Sequence, residues 1–436
     1  MRQWVSLAAI ALVAPWSMAA AEDLGDAVES AYRANPTLDG ARFAARAAME
    51  GVNQNRSSFL PGVDLNSAAG YRTSETEVGG VTGARQDLAP ANVQLQASQA
   101  LYTGGRRDAL GRVAEGQVDV AQERLRAIEQ TVLLAVVTAY VDVRRDIEQV
   151  QIRANNVDVL TRQLQAARDR FEVGEITLTD VAQAEARLAG ANAGLAAAQA
   201  LLEGSRAAYR EVVGQVATDL ESPPPAPPLP QNLDEAIAFA LNNNPSIVAA
   251  EAAVAIAVAQ VQVERAALRP QVSVVGSAQR AWEQNLPDQR TDSLSATAQV
   301  TVPLYEGGFA RSRMRQARLN VERAEAEAEA ARRQVVGDVT AAWSSVLAAR
   351  LVIQASNEQV RANTMAFEGV EQEQQVGLRT TLDVLNAEQE LLESRLTLVR
   401  AERDAYVAAH QLLGAIGALS PQMFGVNEDL SDSPDD

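Results

Sequence analysis

The chain has 436 residues with 56 acidic against 38 basic side chains, a formal charge of −18 that excludes the dense cationic face nucleic-acid binding needs. It is 47% hydrophobic but only 4% aromatic, so alanine and the small aliphatic residues must fill any large core. With no cysteine and a single histidine, His410, it offers no disulfide, no lipid-modifiable cysteine, no metal cluster and no histidine-dependent triad.

At the start, Arg2, the apolar run from Val5 to Trp16 and the small residues Ala19-Ala20-Ala21 predict a secretory signal over residues 1–21, cleaved after Ala21. No later window holds roughly 18 consecutive apolar residues without charge, so no transmembrane helix is expected in the mature chain.

From there the chain reads as one design used twice, over residues 22–222 and 232–418. Leu24-Gly-Asp-Ala27 followed by Asn35-Pro36 recurs as Leu233-Asp-Glu-Ala236 followed by Asn244-Pro245, and Pro61 recurs as Pro270. Leu101-Tyr-Thr-Gly-Gly105 returns as Leu304-Tyr-Glu-Gly-Gly308, and Val173-Gly174 with Asp180 returns as Val376-Gly377 with Asp383. The offset shrinks by six between these sets, and the loss falls between Tyr71 and Asn92, where Gly79, Gly80 and Gly83 mark a loop. Between the halves, residues 223–231 are proline-rich and predict a stiff extended spacer.

Each half predicts two short helices, two strands and two long helices. The strands form hairpins at about 63–102 and 271–305. In the second, Leu294, Ala296, Ala298, Val300, Val302 and Leu304 alternate with polar residues and Pro303, over the length of a membrane-spanning strand. Val93, Leu95, Ala97 and Leu101 repeat that alternation in the first half. Only four strands are available per chain, and a sheet in lipid must close on itself, so the pattern asks for an oligomer.

The long helices are expected at about 106–172, 177–213, 309–375 and 380–417. In the first, Val118, Ala121, Leu125, Ile128, Val132, Ala135 and Ala139 step by three and four, a coiled-coil seam that passes a stutter and resumes at Val150, Ala154 and Val157. Val181, Ala184, Leu188, Ala191, Leu195, Ala198 and Leu202 carry the facing seam. Gly174 and Gly377 fit helix C-terminal positions that need positive φ. Thr177 with Asp180, and Thr380 with Asp383, fit capping boxes. His410 is expected on a helix surface, and residues 419–436 as an acidic disordered tail. Gly104-Gly105 and Gly307-Gly308 lack a following Lys-Ser/Thr, so no phosphate loop is present, and scattered carboxylates sit beside arginines on solvated faces. The chain is therefore not read as an enzyme, and no cofactor is expected.

The paired Asn-Pro, Tyr-x-Gly-Gly and Val-Gly elements, in order and twice, together with the signal segment, resemble the TolC family of outer-membrane factors over residues 23 to about 417. The resemblance implies a mainly α fold with a β-barrel part: a homotrimer whose twelve pooled strands form one barrel in outer-membrane lipid and continue into a helical tunnel across the periplasm. It implies a passive conduit for protein secretion or drug efflux, working with a periplasmic adaptor and an inner-membrane pump of the ABC or RND type. It places adaptor docking at Val173, Gly174, Val376 and Gly377. It places a closed-state tip network at Thr179, Asp180 and Arg379, with Asp383 in an acidic ring. The sequence departs from the family at Gln374, where a tyrosine is usual, and at Asn386, where a second aspartate is usual. For Asp180 the cap alone suffices, whereas for Asp383 the cap and the ring both fit. Tyr102 and Tyr305 are expected as membrane-interface anchors. The stretch from Arg170 to Glu175, followed by Thr179 to Arg187, is similar to members serving type I protein secretion. The alternative function is a coiled-coil structural protein of the envelope without a pore.

Overall fold

The computed structural model describes residues 22–75, 77–82 and 85–426. The expected signal segment, Gly83 and the acidic run from Asn427 lie outside the described residues.

The chain opens with α1 (Leu24–Ala34) and α2 (Pro36–Ser57), which meet at Asn35. Its side chain caps α2 by accepting from Thr37 N at 2.9 Å, while its amide donates to Val212 O at 3.1 Å. Proline at the first helical position loses nothing, because that N–H has no helical partner. In the second half α5 (Leu233–Asn243) and α6 (Pro245–Ala266) meet at Asn244, which accepts from Ser246 N at 2.9 Å and donates to Ala415 O at 2.8 Å. Each Asn-Pro pair thus turns one helix into the next and ties the corner to the end of a long helix.

Strand β1 (Gly62–Ala69) pairs antiparallel with β6 (Ala91–Tyr102). The loop between them forms two small ribbons, β2 (Arg72–Ser74) with β5 (Gln86–Leu88) and β3 (Glu77–Val78) with β4 (Val81–Thr82). Gly79 and Gly80, with φ of 60° and 81°, supply the tight turn of the inner ribbon. Strands β7 (Gln271–Trp282) and β8 (Arg290–Thr301) form the second hairpin, and β6 pairs with β7, giving one sheet in the order β1-β6-β7-β8. β8 stops at Thr301, three residues short of the expected end, because Pro303 brings no N–H to a ladder. The sheet has two open edges, β1 and β8, and its apolar residues are bare, with Leu65 69% and Leu294 86% exposed.

Four long helices make the rest: α3 (Arg106–Glu172), α4 (Leu178–Val213), α7 (Phe309–Gln375) and α8 (Thr381–Ala415). At 67 residues each, α3 and α7 span about 100 Å. α3 pairs with α4 and α7 with α8, and nearer the sheet the helices form a layer in the order α2-α3-α6-α7. The seam of α4 is buried at Val181, Ala184, Ala198 and Leu202, as its period requires. In the distal half of α3 the buried residues are Asn156, Leu160, Leu164 and Ala167, with Val150, Ala154 and Val157 only half-buried. The shift arises because α3 packs against α8 as well as α4, so one seam cannot describe its buried face.

Where α1 joins the bundle, Val136, Val137 and Tyr140 of α3, Tyr209 of α4 and Leu412 of α8 form the main core. Tyr140 donates to Glu22 O or Glu221 O, each at 2.9 Å, and Tyr209 donates to Glu22 Oε1 at 2.7 Å, fastening both ends of the first half.

Two expectations are corrected. His410 is fully buried, its Nδ1 2.8 Å from Tyr406 O and its ring stacked on Phe424. Residues 419–426 are ordered: Leu419 and Val426 are buried on either side of a 3-10 turn at Pro421–Phe424 that packs on α1 and covers the histidine. Apolar side chains anchor this segment, and the acidity that suggested disorder lies further on. Finally, stretches within Leu233–Ala266 and Phe309–Gln375 are apolar enough by composition to cross a bilayer. Charges interrupt both, and α6 lies between α3 and α7.

Candidate functional site at the helical tips

The far ends of α3–α4 and α7–α8 carry the residues singled out from the sequence. Both first helices end in the same way. Glu175 N reaches back to Arg170 O at 2.9 Å and Gly174 N to Phe171 O at 3.0 Å; Leu378 N reaches Glu373 O at 2.8 Å and Gly377 N reaches Gln374 O at 3.0 Å. These are Schellman closures, which require a left-handed residue, and both glycines sit at φ 79°. The closures push aliphatic side chains into solvent: Val173 and Val376 are 72% and 71% exposed, and Leu178 and Leu378 are also bare.

The second helices begin with the predicted boxes. Asp180 Oδ2 accepts from Thr177 N at 2.9 Å and from its hydroxyl at 2.7 Å. Asp383 Oδ2 accepts from Thr380 N at 3.0 Å and from its hydroxyl at 2.8 Å, and Thr380 Oγ1 accepts from Asp383 N at 3.2 Å. Hydrogen bonds that favour the ionised form hold both carboxyls below the usual range. The Thr177 hydroxyl is the main cause for Asp180, and the Thr380 amide is the main cause for Asp383, with Arg379 adding a smaller pull. Thr179 lies exposed in the first turn of α4.

Arg379 bonds Glu373 Oε2 at 2.8 Å within its own turn. Gln374 is buried and donates to Thr381 Oγ1 at 3.5 Å across the same turn. Asn386 accepts from Arg187 Nη2 at 2.9 Å, linking α8 to α4. The two turns face each other across a cleft lined by Arg170, Asp180, Gln374, Gly377 and Arg379 among others, which brings together three of the six expected tip-network residues, Asp180, Gln374 and Arg379, while Thr179, Asp383 and Asn386 do not line it. Tyr102 and Tyr305 stand exposed at the other end, where β6 and β8 lead into α3 and α7.

Sequence reasoning missed the residues that join the hairpins. Asn156 of α3 donates to Glu388 Oε1 of α8 at 2.8 Å, and both are buried. Burial pushes the Glu388 carboxyl above its usual range, against the bond from Asn156 and the charges of Arg395 and Arg162, with Glu371 adding to the rise. A polar residue on a seam was the available signal, and Asn156 sits one place from the seam the period predicts.

Comparison with known proteins agrees with the two-repeat architecture. The Outer membrane efflux protein family matches residues 27–215 and 236–418, the two halves in turn. The chain is 34% identical over 411 residues to the outer membrane efflux protein BepC of Brucella suis, covering 94% of this chain and 88% of that one. It is 28% identical to the outer membrane protein TolC of Vibrio cholerae, covering 92% of each. Among solved structures, CusC superimposes with a TM-score of 0.78 at 17% identity over 91% of this chain and 92% of that one. Membership of the TolC family implies a trimeric channel working in a tripartite system. The chain belongs to the Outer membrane efflux protein family and is a non-enzymatic TolC-type efflux or secretion channel of the outer membrane that spans into the periplasm.

Proposed function

We propose that three copies pool their four-stranded sheets into a twelve-stranded barrel, and that the helical tips admit cargo once a periplasmic adaptor, engaged with an inner-membrane ABC or RND pump, docks on the two turns. The channel itself supplies no energy. The observation that carries the docking step is the pair of matched turns, each closed by a glycine and presenting a bare valine, 72% exposed at Val173 and 71% at Val376. A surface so apolar at the end of a rod of about 100 Å is costly to leave in water and suits a partner with an apolar tip. Cargo of the protein type fits the Arg170–Glu175 and Thr179–Arg187 stretches, whose likeness lies with type I secretion members.

The test is export in cells carrying the double variant Val173→Asp and Val376→Asp, with adaptor capture by crosslinking. Loss of export and capture, at normal outer-membrane level and three-chain mass, is expected. Undiminished capture would overturn docking on the turns.

A further inference from the structure

The long helices leave the sheet at one end and run into the periplasm, so the turn between β7 and β8, at the other end, lies at the outer surface of the membrane. Near that turn Ala278 faces Leu294, Arg280 faces Asp292 and Trp282 faces Arg290. Across β6, Ala278 faces Leu95 and Arg280 faces Val93. Alternation puts all of these side chains on the apolar face, the one turned to lipid when the sheet closes.

Their depth follows from the rise of the strand. From Val272, opposite Tyr102, to Trp282, β7 climbs about 33 Å, or about 25 Å along the membrane normal at the usual tilt of about 40°. That is the height of the apolar band of a barrel in lipid. Tyr102 then marks the inner interface and the partly exposed Trp282 the outer one. Arg280 and Arg290 stand at the headgroups of the outer leaflet, with Leu95 and Leu294 below them.

The two arginines share one acid. Arg280 places Nε 2.6 Å from Asp292 Oδ1 and Nη2 3.2 Å from Oδ2, while Arg290 Nη2 lies 2.8 Å from the same Oδ2. A single carboxylate between two half-exposed guanidiniums leaves one positive charge unbalanced and N–H donors on both arginines unused by it. Glu283, next to Trp282, is engaged with the first hairpin, where it accepts from Ala89 N at 3.0 Å.

The barrel does not require this cluster. In the first repeat Tyr71, Ala89 and Asp87 occupy the positions of Arg280, Asp292 and Arg290, and Thr73 faces Asp87 as Trp282 faces Arg290. Strands therefore pair at the same level without arginine, and an exposed ion pair adds little to stability in any case. A shallow depression lined by Val93, Leu95, Ala278 and Leu294 is bordered by Arg280 and Trp282. Its floor suits acyl chains and its rim an anion, a combination that fits an anionic lipid better than a dissolved ion.

We propose that Arg280 and Arg290, held together by Asp292 and flanked by Trp282, bind the phosphate groups of a phosphorylated glycolipid in the outer leaflet, at one site on the outward face of each copy. The proposal rests on the barrel reading above and goes beyond it by giving the channel a lipid partner. Guanidinium forks match phosphate oxygens with paired N–H···O bonds, and the headgroup level is where such phosphates lie.

The test uses the channel in nanodiscs of phosphatidylethanolamine that contain either diphosphoryl lipid A or its dephosphorylated form. After extraction in mild detergent, native mass spectrometry reads the lipid retained per trimer. The parent should retain the diphosphoryl form at least about tenfold more than the dephosphorylated one, the size expected of charge-assisted bonds. Arg280→Gln with Arg290→Gln should abolish that preference. Because this variant leaves Asp292 alone, the triple variant that adds Asp292→Asn tests the same loss in a strand pair without charge. Equal retention of the two lipids by the parent, or an undiminished preference in both variants, would overturn the proposal, and a three-chain mass would then leave the barrel reading standing. Displacement of the lipid by millimolar inorganic phosphate would also overturn it, by marking a site for the free ion. A monomeric mass overturns the barrel reading and the proposal with it.

Discussion

At the scale of single residues, the Asn-Pro corners show why a short motif recurs. Asn244 uses its oxygen to cap α6 and its amide to satisfy Ala415 O near the end of α8, and it is only 7% exposed. Replacing it with alanine removes the cap and leaves a half-buried carbonyl without its side-chain donor, so Asn244→Ala should lose about 1–3 kcal/mol in denaturant unfolding. Asn244→Asp, which keeps the cap and loses only the donor, should fall between the two. Asp383 makes a different case, because its cap does not neutralise it. The Thr380 amide and hydroxyl hold its carboxyl ionised below the usual range, so on the proposed reading in which three such groups ring the tunnel mouth, that ring stays charged through mildly acid conditions. Cation-over-anion permeability of Asp383→Asn channels should therefore fall, and the selectivity of the unaltered channel should persist until the pH drops below the ordinary carboxylate range. Unchanged permeability in the variant leaves Asp383 as a helix cap alone.

At the scale of elements, what governs the molecule is how α3 meets α8, since that contact joins the two hairpins near the tips. Its polar member is Glu388, held by Asn156 with both groups buried. Burial raises the pKa of Glu388 in the folded chain above the unfolded value, so the folded state holds the extra proton in that interval and stability falls as pH rises through it. Glu388→Gln keeps an oxygen to accept from Asn156 and cannot ionise. The variant should unfold at a higher denaturant midpoint than the parent in neutral buffer and at a similar one in acid, which parallel urea titrations would show. The same contact marks where the sequence stops being informative. Helix ends were legible because glycine at positive φ and Thr-x-x-Asp boxes are local devices, and β8 was legible because its alternation faces two uniform media. Asn156, Glu388 and the Arg187–Asn386 bridge join residues about 200 or more apart in sequence, and no local period reports which helix a third neighbour will cover. His410 was misread for the same reason: the segment that buries it, with Phe424 on its ring, is separate from the helix whose period was read.

At the scale of the whole molecule, the outstanding fact is that one chain leaves its sheet unclosed and its apolar strand residues in the open, a state no bilayer tolerates for the backbone edges. Closure by three copies makes the two faces of β8 unequal, one against lipid and the other against the water of the pore. Ala296 and Thr297, adjacent at the middle of β8, fall on opposite faces, so the same substitution at each should have opposite consequences. Arginine at Ala296 must sit near the middle of the bilayer and should cost about 2–4 kcal/mol, seen as a loss of assembled trimer from outer membranes. Arginine at Thr297 projects into the pore, where water solvates it, so trimer should form at the parental level while the added cations lower cation permeability. The comparison controls for any general damage to the strand, because both variants alter neighbouring positions by the same side chain. Equal loss of trimer for both would mean that β8 is buried alike on its two faces, and the closed barrel would have to be given up; loss at Thr297 alone would invert the faces and place the apolar stripe of β8 inside.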